Sequence, residues 1–232
     1  MDRSAVNLTN SGVPEAFASE LPTGTVTFLL TDVEGSTKLW EAGADETAVS
    51  IARHYALLGA AVALHGGVRP VEQGEGDSVV AAFSRASDAV AAALDVQLAF
   101  AQEVWPKGGE VRVRMALHTG ESRLRDAGNY FGPTIIRCAR LRTIGHGGQT
   151  LISDATRDLV VDALPEGAEL RDLGLHRLKD LGRAERIWQL VHPELPCDFA
   201  PLRSLGALPT NLPAQVSSFV GREAEIASVR EA

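Results

Sequence analysis

Two carboxylates stand where chemistry is possible. Asp32 closes an apolar, β-branched run in "TVTFLLTDVEGST" (25–37), and Gly35, Ser36 and Thr37 follow almost at once. A strand end is a rigid place for an acid, and a Gly-Ser-Thr turn leaves backbone N–H groups open to an anion. Asp77 lies at the tip of a second Gly-rich stretch, "EQGEGDS". Two carboxylates held a few ångströms apart repel unless a cation sits between them. Two divalent ions roughly 3.5–4 Å apart can clamp the attacking and leaving oxygens of a phosphoryl transfer. Each acid taken singly has an ordinary reading: Asp at a strand end caps the next helix, and Asp after Gly is common turn chemistry. Taken together with the Gly-Ser-Thr turn, they make metal-assisted phosphate chemistry a competitive reading.

The elements that must position these acids follow from periodicity. Val26, Phe28 and Leu30 alternate with Thr27 and Leu29, and both faces are fairly apolar, which predicts a central strand. A helical stretch follows, interrupted at "EAGADE"; its second part sets Ile51, Tyr55, Leu58 and Val62 at helical spacing and ends at His65-Gly66-Gly67. Residues 68–83 read as two β-type runs around "QGEGD", a hairpin with Asp77 at its tip. If the first strand lies beside that hairpin, Asp32 and Asp77 face each other across neighbouring strands. A long Ala-rich helix is predicted over 84–104 and a strand over 110–122. A helix opens at Pro133, a good first helical residue, and carries Ile136, Arg140 and Leu141. "GGQTLIS" reads as a strand, "DATRDLVVDAL" as a helix, and 169–191 as two final strands around a turn. This order predicts an α/β sandwich with helices on a largely antiparallel sheet. Residues 1–23 read as a loose leader, 24–192 as the domain, and 193–232, with its repeated prolines, as a linker.

Composition narrows the function classes. The chain has 232 residues, enough for one ordinary core with extensions, and a formal net charge of −8. That charge argues against a broad nucleic-acid-binding surface, because phosphate neutralisation dominates such affinity. No run in the sequence reads as a bilayer span, and 1–22 lacks the pattern of a signal peptide. Cys138 and Cys197 are the only cysteines, so no disulfide framework is implied. The six histidines show no metal-ligand spacing, which speaks against zinc. A reduced, cytoplasmic setting without membrane association is expected.

Six stretches then occur in a telling order: "TFLLTDVEGSTKLW", "GEGDSVVAAF", "RMALHTGE", "GNYFGPTIIRCARL", "GHGGQTLIS" and "HRLKDLGRAERIWQL". Together, over about 24–191, they resemble the catalytic domain of class III adenylyl/guanylyl cyclases. The subtype is similar to the bacterial one that precedes a signalling ATPase and a transcription-regulator module. The resemblance implies a ferredoxin-like βαββαβ core and a head-to-tail dimer with active sites at the subunit interface. It also implies ATP or GTP as substrate and two Mg²⁺ or Mn²⁺ ions per site. In its terms Asp32 and Asp77 match the metal-binding aspartates, and the backbone from Val33 through Gly35, Ser36 and Thr37 matches the turn that holds metal and triphosphate. Arg140 matches the transition-state arginine, and Lys179 the phosphate-binding lysine. The implied reaction is attack of the ribose 3′-oxygen on the α-phosphate with release of pyrophosphate.

Three positions depart from that pattern. Gln73 stands where the family has its adenine-reading lysine, and Asn129 where it has the partner aspartate. Two amides, each with a donor and an acceptor end, predict weaker base selectivity. Ile136 replaces the transition-state asparagine and cannot donate a hydrogen bond to the ribose. By analogy with loss of one oriented donor, this removes about 3–4 kcal/mol of transition-state stabilisation, roughly 10²–10³-fold in rate. The metal half of the site therefore reads as complete and the base and ribose half as altered. A homodimer repeats that defect in both sites, whereas a heterodimer with a complete cyclase chain repairs one. The tail, "LPTNLPAQVSSFVGREAEIASVRE", resembles the entry to the signalling ATPase, and no phosphate-binding loop follows it. The sequence thus supports a cyclase of reduced activity or a degenerate, dimerising regulatory module in a truncated regulator. A dinucleotide cyclase is disfavoured by the lack of a "GG[DE]EF" sequence.

Overall fold

The apolar run at the start of the domain forms β1 (Gly24–Val33), the second strand in from the sheet edge and buried from Val26 onward. The computed structural model describes residues 20–74 and 76–205; the leader up to residue 19, Glu75 and the tail from 206, including "FVGRE", lie outside the described residues. Gly35 takes a left-handed conformation (φ 71°) and turns the chain into α1 (Ser36–Ala42). The interruption expected at "EAGADE" falls at Gly43, and α2 (Ala44–Leu64) follows. Ser50, His54, Leu58, Ala61 and Val62 form the buried stripe of α2, as the 3.6-residue period requires.

The helix α2 is long and apolar enough to cross a membrane by length and composition. This corrects the expectation that no run has that length. Small apolar residues are frequent along α2, and its buried stripe contributes Leu58, Ala61 and Val62 to the core.

Only one arm of the expected hairpin becomes a strand. β2 (Val79–Phe83) pairs antiparallel with β1, whereas the other arm contributes a single bridge, Val68 to Ala82. Pro70 and the glycines at 74 and 76, both with positive φ, prevent a longer ladder there. Next come α3 (Ala86–Gln102), β3 (Val113–Asp126) and β4 (Asn129–Phe131). Pro133 opens α4 (Pro133–Thr143), and Gly132 ahead of it adopts φ 110°. β5 (Thr150–Ser153) leads into α5 (Asp154–Val160), whose first turn is capped by the Ser153 hydroxyl accepting from Thr156 N–H. β6 (Glu169–His176) and β7 (Glu185–Val191) complete the sheet.

The strands lie in the order β2-β1-β3-β5-β7-β6, with β4 paired to the far half of β3. Among the described residues only β3 and β5 run parallel; every other strand pairing is antiparallel. The fold is therefore a mixed α/β sandwich on a largely antiparallel sheet, with five helices among the described residues. Alternation along β1 divides the core. Leu29 and Val33 join residues of α2, α3 and α5, while Phe28 and Leu30 join Cys138 and Leu141 of α4. Both cysteines are free, and burial pushes the Cys138 thiol up to about 12.

The chain after β7 stays on the domain. Cys197 O accepts from Arg171 and from the Gln189 amide, both at 2.8 Å. Leu202 is buried in the α4-side core, and Leu205 N–H donates to Arg177 O at 3.1 Å. Residues 193–205 thus form a strap across one end of the sheet, although their prolines read as linker.

Candidate active site

Asp32 is the penultimate residue of β1, on the face that carries Phe28 and Leu30. The ladder sets it directly opposite Arg114 of β3. Arg114 grips the carboxylate with two parallel bonds, Nε to Oδ1 at 2.7 Å and Nη2 to Oδ2 at 2.8 Å. A second guanidinium arrives from α4: Arg142 Nε stands 3.3 Å from Asp32 Oδ2, and its Nη1 donates to Thr31 O (2.9 Å) and Ser78 Oγ (3.3 Å). Asp77, in the turn before β2, accepts from Val33 N–H at 3.0 Å through Oδ2. Both acids therefore meet the end of β1, one through its own side chain and one through the backbone.

A cavity of about 720 Å³ opens over this strand end. It is lined by Asp32, Val33, Gly35, Ser36, Thr37, Gln73, Asp77, Asn129 and Ile136, residues spread over a hundred positions of sequence. Lys38 and Leu39 N–H both return to Gly35 O, so the first amides of α1, at Ser36 and Thr37, are left without helical acceptors. Arg140 and Lys179 are not among the lining residues. Arg140 instead pairs with Asp180 at 2.7 Å, on the exposed turn that also carries Lys179.

The two amides expected to read a base are already engaged. Gln73 Oε1 accepts from Val80 N–H at 3.0 Å, and its NH₂ group donates to Pro70 O. Asn129 Oδ1 accepts from Glu72 N–H at 2.8 Å, and its NH₂ group donates to both oxygens of Asp126. These bonds hold the irregular segment before β2 in place of a strand ladder. They also remove the free amide rotation on which an adaptable purine reader depends.

Arg114 and Arg142 are the residues that sequence reasoning missed. A signal existed for Arg114, a cation inside the apolar strand "VRVRMALHT". Its partner became definite only with the register of β1 on β3.

The donor set suits a hard divalent cation: two carboxylates and the Val33 carbonyl offer only oxygen. Among the described residues no group of three or more His, Cys, Asp or Glu side chains could hold a metal. The remaining ligands would be water and phosphate oxygens, the usual arrangement for Mg²⁺. Arg114 occupies both Asp32 oxygens, so an ion at Asp32 requires that fork to give way.

No family model matches the sequence. The uncharacterized protein Rv0891c of Mycobacterium tuberculosis is 51% identical over 206 residues, which cover 88% of this chain and 70% of that protein. A Trypanosoma brucei adenylate cyclase, solved in its monomeric state, superposes with a TM-score of 0.69 at 26% identity, covering 80% of this chain and 98% of that one. An adenylate/guanylate cyclase/hydrolase from Silicibacter pomeroyi gives a TM-score of 0.61 at 29% identity, covering 72% and 96%. The adenylate cyclase of Lachancea kluyveri is 30% identical over 158 residues, 57% of this chain and 8% of that protein. The chain belongs to one family with the mycobacterial protein. Its structural neighbours and distant relatives indicate a class III adenylyl/guanylyl cyclase catalytic domain.

Proposed function

We propose that the domain converts ATP, with GTP as a second substrate, to a 3′,5′-cyclic nucleotide and pyrophosphate at a dimer interface, at a low rate. The observation that carries this reading is the gathering of Asp32, Asp77, the Gly-Ser-Thr turn and Ile136 around one cavity, in a fold whose neighbours are cyclases. Asp32, Asp77 and the Val33 carbonyl would hold two Mg²⁺ or Mn²⁺ ions. When bound, such ions supply charge neutralisation and activation at the attacking and leaving oxygens.

The chain's own groups do the rest. The open amides at Ser36 and Thr37 bind and orient the triphosphate. Arg140 offsets charge growing on the α-phosphate, and Lys179 binds a phosphate oxygen. Neither lines the cavity of its own chain: Arg140 lies on α4 and pairs with Asp180 of the exposed turn that carries Lys179. That placement supports a head-to-tail pair in which one protomer's α4 and adjoining turn complete its partner's cavity. Ile136 faces the cavity without a donor, so the ribose is oriented poorly and turnover is slow. A heterodimer with a chain carrying asparagine there would own one faster site. Residues 24–192 make up the catalytic unit, in the subtype that a signalling ATPase and a transcription regulator follow.

The test is cyclic nucleotide formation by the purified dimer with ATP and with GTP, in Mg²⁺ and in Mn²⁺. Asp77→Asn is the matched control, because asparagine still accepts from Val33 N–H. Product that disappears in the control is expected. No product from folded, dimeric protein with either purine would overturn the reading and leave a regulatory or partner-dependent domain.

A further inference from the structure

The strap after β7 reaches the triphosphate turn through one side chain. Leu202 is anchored in the α4-side core, and Arg203 N–H donates to Ile144 O at 3.0 Å, so the backbone at this point is fixed on both sides. His146 stacks on Phe199 and meets Pro201 O at 3.2 Å, which holds the preceding stretch. From this mount Arg203 Nη2 donates to Glu34 Oε1 at 2.7 Å. Glu34 is the residue between Val33 and Gly35. Its other oxygen accepts from Gly147 N–H at 3.0 Å, and its own N–H donates to Arg112 O at 2.9 Å. Gly147 permits this approach because a Cβ there would lie 2.6 Å from Arg112 Cβ and 2.9 Å from Glu34 Oε2.

We propose that Arg203 is a positioning residue: through Glu34 the strap holds the Val33–Thr37 turn in the geometry that receives the metal-bound triphosphate. The inference rests on the cyclase reading for what the turn binds, and on geometry alone for the coupling. An isolated surface ion pair contributes little, because two free side chains must be ordered to make it. Here the Arg203 backbone and the Glu34 carboxylate are both tied down, so only the half-exposed arginine side chain has to be ordered. Arg203 sits on a buried backbone anchor, and Glu34 is tied to two further backbone groups. The arginine and the two backbone bonds together form a three-point clamp on the one residue that joins strand to turn. Release of the strap would therefore be felt at the turn before it is felt in the sheet.

Hydrogen exchange on the full chain tests the coupling without any assay of activity. In Arg203→Ala the amides of Lys38 and Leu39, the two bonded to Gly35 O, should exchange about 10-fold faster, the scale set by one lost charge-assisted bond. Amides of Phe28 to Leu30 should keep their wild-type rates. Glu34→Gln should have a similar effect, and the double variant little more. Arg203→Lys should restore part of the protection. In turnover, Arg203→Ala should raise the KM for the metal–nucleotide about five-fold with kcat within about two-fold. Unchanged exchange at Lys38 and Leu39 in both single variants would overturn the proposal, as would uniform acceleration across the sheet. Faster exchange at the turn in a chain that forms no cyclic nucleotide would uphold the coupling and remove the cyclase reading instead.

Discussion

Replacing Asp32 by alanine, the obvious way to silence the site, should destabilise the whole domain. The Asp32 side chain is 12% exposed, and its two arginine partners, Arg114 and Arg142, are 20% and 15% exposed. Truncation leaves both guanidiniums in place, mostly out of water, with no carboxylate between them. Arg142 keeps Thr31 O and Ser78 Oγ as acceptors, whereas Arg114 loses both of its carboxylate bonds. Breaking a buried pair by removing one partner costs about 3–5 kcal/mol, because the remaining charge is uncompensated. With a urea slope of about 2 kcal/mol/M for a domain of this size, the unfolding midpoint should fall by roughly 1.5–2.5 M. Urea titration at pH 7 in the presence of a chelator, followed by far-ultraviolet circular dichroism, measures this directly. Asp32→Leu combined with Arg114→Met should recover much of the loss, since an apolar pair of similar volume replaces the ion pair. A fall of less than about 1 kcal/mol in Asp32→Ala would refute the reasoning, and the arginine fork would then be a solvent-screened contact. If the loss is as large as expected, inactivity of Asp32 variants has to be read beside their unfolding, and Asp77→Asn becomes the cleaner probe of chemistry.

Four further outcomes follow from the same structure. His54 and His118 are both held down to about 4, His54 by burial with the Arg69 charge adding, and His118 by burial with the Arg137 charge adding. Both are neutral in the fold, so their contribution is complete above the unfolded value of about 6.5 and is lost as pH falls toward 4. Each should cost about 2 kcal/mol between pH 7 and pH 5, read from unfolding curves. Neither ring nitrogen of His54 has a hydrogen-bond partner, so His54→Leu should raise stability and flatten that acid limb. Ile136→Asn restores a donor facing the cavity and should raise kcat by about 10²-fold in the cyclase assay; no change would mean that the site is limited elsewhere. Gln73→Ala leaves Val80 N–H without its acceptor and should cost about 1–3 kcal/mol in thermal or urea unfolding.

Local pattern was enough wherever a residue's neighbours in sequence are also its neighbours in space. The β1 run, the Gly43 break between α1 and α2 and the helix start at Pro133 belong to that class, because backbone geometry and short-range periodicity decide them. The ordered motifs also pointed to the cyclase fold and to two acids near one strand end. Other features depended on partners far along the chain. The missing hairpin arm is an example: residues 68–72 have strand-like composition, yet Gln73 and Asn129 bond the backbone there and take the place of a ladder. Those bonds spend the amides that composition alone left free to read a purine. The Asp32–Arg114 fork spans 82 residues and exists because one ladder register sets the two side chains opposite each other. The strap is the sharpest case. Proline-rich sequence carries no periodicity, so nothing local reveals that Leu202 fills a core gap and places Arg203 on Glu34, 169 residues away. The sequence by itself determined most of the elements and the acid that ends the first strand. Only the tertiary structure decided what those acids, amides and the strap are bonded to, because a hydrogen bond's partner is set by distance in space and not along the chain.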